Sequence, residues 1–152
     1  MAAGVSAPLY TRDILRLAAS IPGQRSFVEL GDAAAIRSPT CGSRVAMRVT
    51  LGNDGRVTGI EQAVEACAFG QAAAALIGRH ATGKDGGEAV AALSGVECWL
   101  GGVEDEPWPD LHLLDPARSR RGRHGAILLP FRALVQAIGV AAINDAGNEV
   151  RT

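Results

Sequence analysis

The amino-acid sequence predicts an α+β domain, a small three-stranded antiparallel sheet covered by about four helices, and three observations lead there. From Arg44 to Leu51, Val45, Met47, Val49 and Leu51 alternate with Arg44, Ala46, Arg48 and Thr50, as in a strand of a sheet with one wet face. The triplet Asn53-Asp54-Gly55 follows as a turn, with a returning strand from Val57 to Ala66. Beyond that strand the long apolar stretches repeat at helical spacing. Strands first and helices after is the element order of an α+β domain.

The elements follow in chain order. Tyr10 to Ile21 reads as a helix, with Thr11 as N-cap, Asp13 in the first turn, and Ile14, Leu17, Ala18 and Ile21 at helical spacing. Pro22-Gly23 ends it. Phe27 to Leu30 and Ala33 to Ile36 are short apolar segments read as strands. The alternation of the returning strand loses phase near Gly59, which suggests a bulge. Ala68 to Ala81 is a helix with Phe69, Ala72, Ala73, Leu76, Ile77 and His80 on one stripe. Gly83 to Gly87 breaks the chain, and Glu88 to Leu100 forms the next helix through Ala89, Leu93, Val96 and Leu100. A long connection from Gly101 to Gly122 precedes a last helix from about Gly125 to Ala142, with a kink or restart expected at Pro130 and a frayed tail beyond.

Composition narrows the function classes. The 152 residues are expected to form one domain with its core at about residues 9–142 and flexible ends. Hydrophobic residues make up 47% and aromatics 4%, so small aliphatic side chains build the core. A net charge of −1, and a basic run (Arg118, Arg120, Arg121, Arg123) without interleaved aromatics, argue against nucleic-acid binding. The start MAAGVSAPLY lacks the basic and apolar regions of a signal peptide, and no uninterrupted apolar run approaches the roughly 20 residues of a membrane span. A soluble, cytoplasmic protein is expected.

Three cysteines, Cys41, Cys67 and Cys98, are an odd number for a disulfide framework. Cys41 stands in the loop Pro39-Thr40-Cys41-Gly42-Ser43, where proline stiffens the approach and glycine permits unusual backbone angles. Cys67 ends the returning strand and opens a helix, where the helix dipole and unpaired N–H groups favour a thiolate. The hairpin should bring both to its open end although they lie 26 positions apart in sequence. Two thiolates at one sheet end suit a soft metal or a cluster, while two small buried hydrophobes would fit the same spacing. Cys98 fits packing on the penultimate helix. Trp108, between Pro107 and Pro109, suits either a partner contact or burial at the edge of the core, and Arg120 and Arg121 either meet an acidic surface or are simply solvated.

The motif Pro39-Thr40-Cys41-Gly42, the alternating strand, the acidic-Gly hairpin and Cys67 before an Ala-rich helix resemble the NifU/IscU/SufU family of iron–sulfur cluster assembly scaffolds. The stretch Arg123-His124-Gly125-Ala126-Ile127-Leu128-Leu129-Pro130-Phe131 resembles that family's last-helix motif, and the match spans roughly residues 9–140. The long connection before the last helix is similar to the SufU-like type. The chain departs from the IscU-like type in lacking the Leu-Pro-Pro-Val-Lys segment. The resemblance implies a non-enzymatic scaffold that holds an iron–sulfur cluster or iron, with zinc as a further candidate, and works with a cysteine desulfurase and cluster-accepting proteins. Carried over by position, two of three ligand cysteines fall on Cys41 and Cys67, the third on Ala126, and a ligand aspartate on Ser43. A methyl and a hydroxyl do not replace a thiolate and a carboxylate. His124, a second copy of the chain in a homodimer, water or a small thiol would then complete the ligand set. The competing expectation is a degenerate member that binds a desulfurase system as an adaptor without a cluster. A cysteine enzyme ranks third, since only His124 could act as base and no Ser-His-Asp order or zinc-protease helix is present.

Overall fold

A computed structural model describes residues 10–31, 33–39 and 42–151, with side chains to Gly147. The chain runs α1 (Arg12–Ala18), α2 (Phe27–Leu30), β1 (Ala35–Arg37), β2 (Arg44–Leu51), β3 (Val57–Glu65), α3 (Ala68–His80), α4 (Gly86–Leu100), a 3-10 helix (Leu111–Ala117) and α5 (Arg121–Arg151). The expected α+β class and three-stranded antiparallel sheet are found.

The sheet has the order β1-β2-β3, with β2 central. Its hairpin turns through Gly55, whose φ of +79° is the left-handed conformation that glycine adopts without strain. Thr50 faces Gly59 while Leu51 faces Val57, so Thr58 is the extra residue of a bulge, beside the glycine where the alternation loses phase. Val45, Met47 and Val49 are buried in the main core, which also takes in Ile14 and Leu17 of α1. α5 packs on β2, α3 and α4.

The segment Phe27–Leu30, expected as a strand, is a single turn of α-helix. Four residues cannot display a period, and the decisive signal is a capping box: Ser26 Oγ accepts from Glu29 N at 3.0 Å, and Glu29 Oε1 accepts from Ser26 N at 3.0 Å. The turn lays Leu30, with Phe27 beside it, on Ala46 and Ala63, so the second sheet face is partly covered as well.

The last helix also differs from expectation. It starts at Arg121, passes Pro130 without ending, and continues to Arg151 rather than fraying after Ala142. Pro130 has no N–H, so the Ala126 carbonyl lacks its regular helical donor, yet the packing of α5 on three elements holds the helix together. The far end lies beside the hairpin, where Asp145 and Ala146 share a groove with Leu51 and Gly55. Arg121–Gly147 is long and apolar enough by composition to cross a membrane, but more than half of its most apolar 18 residues are buried inside the fold, as in a core helix.

Within the long connection, Trp108 is only 2% exposed. Its Nε1 donates to Leu76 O at 3.0 Å, and its ring meets Phe131 edge-on at 5.4 Å. The partner contact considered for Trp108 is therefore corrected: the two flanking prolines deliver an indole into the core, where its apolar area and N–H are both satisfied. The 3-10 helix that follows buries Leu111, Leu114 and Ala117, three residues apart each time, as its three-residue turn requires.

Candidate functional site

The open end of the hairpin carries the candidate site. Arg44 at the start of β2 faces Glu65 at the end of β3, and the two side chains are hydrogen-bonded at 3.1 Å. Arg44 also lies over the Phe27 ring at 3.8 Å. Two residues beyond Glu65 comes Cys67. Two residues before Arg44 comes Gly42, with φ of +72°, and next to it Ser43, whose carbonyl accepts from Ser38 N at 2.8 Å. Cys41, the other expected thiol, lies with Thr40 outside the described residues.

Cys67 is the N-cap of α3, in an extended conformation with φ −66° and ψ 172°. It is half-buried. The first intrahelical bond runs from Gln71 N to Cys67 O at 2.9 Å, so the N–H groups of Ala68, Phe69 and Gly70 lack intrahelical acceptors. Serine, threonine or aspartate at this position would accept one of them, whereas Cys67 makes no side-chain capping bond. The thiol thus sits at the positive end of a helix, beside amides that have no acceptor within it.

Gly70 lies in the first turn of α3 and meets α5 at Ala126. A Cβ built on Gly70 would stand 3.1 Å from Ala126 O and 3.6 Å from Ala126 Cβ. Ala126 is 1% exposed and Ser43 5%. The position where the resemblance carries over a third cysteine is therefore a buried methyl on the helix facing the start of α3. Gly70 went unnoticed in the sequence; its signal was a glycine inside an Ala-rich helix, where it lowers helix stability and so implies a close contact.

His124, considered as a ligand, is directed elsewhere. Its Nε2 lies 3.1 Å from Ala117 O and 3.0 Å from Arg118 O. Carbonyls only accept, so Nε2 carries the proton and the ring caps the end of the 3-10 helix. Two positions along a helix is about 200° of rotation, so His124 points away from the face that Ala126 presents to α3. His124, expected as a ligand beside Cys67, is thus engaged through Nε2 at the 3-10 helix. His80 bonds Asp110 at 3.2 Å and His112 bonds Glu106 at 2.8 Å. The Glu106 carboxyl is held below the ordinary carboxylate range, chiefly by the His112 backbone N–H. Cys98 is exposed on α4. Among the described residues, no three His, Cys, Asp or Glu side chains gather as a metal site.

The basic run divides in two. Arg118 is structural: Nε donates to Trp99 O at 2.9 Å, Nη2 to Val103 O at 3.0 Å, and the guanidinium lies 4.7 Å from the Trp99 ring centre. Arg120 and Arg121 are exposed at the start of α5. Arg121 borders a cleft of about 940 Å³ between the end of α4, the 3-10 helix and α5.

No family model matches the chain, and no curated protein does. Solved structures do. The chain is similar to the N-terminal part of a nitrogen-fixing NifU-like protein from Brucella abortus, with 28% identity over 88% of this chain and 94% of that one, and a TM-score of 0.75. It also matches a SUF-system protein from Fervidobacterium islandicum AW-1, described as a putative iron–sulfur cluster assembly scaffold, with a TM-score of 0.69 over 86% of this chain and 96% of that one. Identity to the latter is 19%, a level that speaks for the fold. The family that the sequence resembles is thus the one whose solved structures share its architecture: the chain has the NifU/SufU-like scaffold fold.

Proposed function

We propose that this chain, with its NifU/SufU-like fold, serves iron–sulfur cluster assembly as a carrier that receives its cargo on Cys41 and Cys67. The cargo is a nascent cluster, an iron or zinc ion, or sulfur delivered by a cysteine desulfurase, and it leaves for a cluster-accepting protein. One observation supports the reading above the others: Cys67 occupies the N-cap of α3 without making a capping bond, at the sheet end where the Cys41 loop enters. A thiol kept at a helix start where a hydroxyl or carboxylate would be more stabilising fits a residue retained for its sulfur. Two thiolates are half of a tetrahedral set, so the remaining ligands come from outside the chain, from a second copy or from the partner that hands over or takes the cargo. The exposed Arg120 and Arg121 suit an acidic patch on such a partner. The cytoplasm is the fitting compartment.

The test is anaerobic reconstitution with ferrous iron and sulfide, read by visible absorption and by iron and sulfide per chain. The wild-type chain is expected to bind both, and Cys41→Ser or Cys67→Ser to lose most of them. A wild-type chain that takes up neither iron, zinc nor sulfur overturns the proposal.

A second reading is favoured by one specific observation. Ala126 is buried as a methyl and Ser43 is a buried serine, at two positions where the resemblance carries over ligands. In that reading the fold binds a desulfurase system as an adaptor and no cargo rests on the cysteines. Desulfurase binding that survives both cysteine substitutions in a chain that holds no metal would select it.

A further inference from the structure

We infer that Gly70 is the positioning residue of the candidate site, setting the pose of the Cys67 thiol from three residues away; the inference rests on the role proposed for Cys67. A Cβ built on Gly70 would come within 2.7 Å of Ala66 Cβ, closer than side-chain carbons approach one another, and within 3.1 Å of Ala126 O. These neighbours are the residue that delivers Cys67 and the helix that α3 packs against. Ala66 immediately precedes Cys67, so any group pressing on it presses on the backbone that delivers the sulfur. Ala126 belongs to α5, the wall opposite the first turn of α3.

The carbonyl at Ala126 is an unusual wall. Pro130 withholds the N–H that would engage it in a regular helix, and the oxygen stands at the α3–α5 contact. A residue without a side chain fits beneath that oxygen. The glycine therefore lets β3 turn sharply into α3 while α3 stays tight against α5.

Other helical glycines show what is particular here. Gly139 and Gly147 of α5 meet nothing within 4 Å. Gly95 packs on Pro107 and Gly78 on Pro22, both at element contacts that involve neither Cys67 nor its neighbours. Among these described helical glycines, Gly70 alone has the residue next to a candidate thiol as its contact.

The prediction is that a side chain at residue 70 changes Cys67 without touching it. The experiment measures the alkylation rate of Cys67 by iodoacetamide against pH, peptide by peptide, in the full chain, with Cys98 as internal reference. Gly70→Ala is expected to change the Cys67 rate by about threefold or more and to displace its pH profile, because thiol reactivity follows the local field and access. Ala66→Gly combined with Gly70→Ala removes the tightest contact and is expected to restore most of the wild-type profile. Gly139→Ala is expected to leave it unchanged. A folded Gly70→Ala chain with a Cys67 profile superimposed on the wild type overturns the inference. So does unfolding of both the single and the double variant, which would make Gly70 a packing residue only. The readout needs neither metal nor partner, so a chain that binds no cargo can still bear out the role of Gly70, and the converse also holds.

Discussion

Helices α3 and α4 are neighbours in sequence and begin in opposite ways. α4 opens on a complete capping box: Asp85 Oδ1 accepts from Glu88 N at 2.8 Å, and Glu88 Oε1 accepts from Asp85 N at 3.3 Å. Arg56 then ties the same carboxylate to the hairpin, with Nη1 at 2.7 Å from Glu88 Oε1 and from Gly83 O. α3 opens on Cys67 and has no side-chain cap. α1 and α2 are capped by Thr11 and Ser26, so among these four helices the exception stands at the candidate site. At the closed end of the hairpin the helix start is fastened by side chains, and at the open end the helix starts without a side-chain cap. α3 withstands the omission because its body is sealed, with Phe69 and every residue from Ala72 to Ile77 at 0% exposure.

That contrast can be broken by substitution. If α3 is held through its body rather than its start, removing the indole that caps Leu76 O must outweigh any helix cap. Trp108→Ala is expected to destabilise by about 3–5 kcal/mol, read from the urea midpoint, and a loss smaller than that of a cap variant would refute the account. Asp85→Ala at the fastened end is expected to cost about 1 kcal/mol in the same measurement. At the open end the sign reverses. Cys67→Ser supplies an acceptor to amides that have none within α3 and should raise stability by a few tenths to about 1 kcal/mol while ending the thiol chemistry. A destabilised serine variant would mean that the thiol is there for packing.

A smaller effect belongs to acid. The Glu29 carboxyl of the α2 box is held below the ordinary carboxylate range, first by the Ser26 backbone N–H. A depressed folded value means that its contribution is fully present above the ordinary range and is lost as pH falls through the folded value. The Ser26 amide resonance is expected to move over that acidic window, and a midpoint at the ordinary carboxylate value would contradict the bond.

Much of this was readable in advance where the signal spans enough residues. β2 shows a full period-two pattern over eight residues, and Asn53-Asp54-Gly55 specifies its turn, so the hairpin, its inward face and even the bulge beside Gly59 follow from the letters. α2 was misread because one helical turn holds too little sequence to show periodicity, although Ser26 and Glu29 spelled the capping box. Trp108 was ambiguous because local sequence does not say which way two prolines aim an indole. His124 was a reasonable ligand by type and neighbourhood; its assignment to two carbonyls depends on a 3-10 helix whose three-residue repeat is easily taken for loop. The closeness of Gly70 to Ala126, more than fifty positions apart, is set by packing, which no local pattern encodes.

The apolar face of the hairpin is completed early in synthesis, and much of its cover comes from α5, the final helix. At about 5–20 residues per second, the chain from Glu65 to Ile138 takes on the order of 4–15 s to emerge. Through that interval Val45, Met47 and Val49 lack the contact with α5 that they have in the finished fold. On a ribosome stalled before Phe131, the sheet would still be without much of its roof.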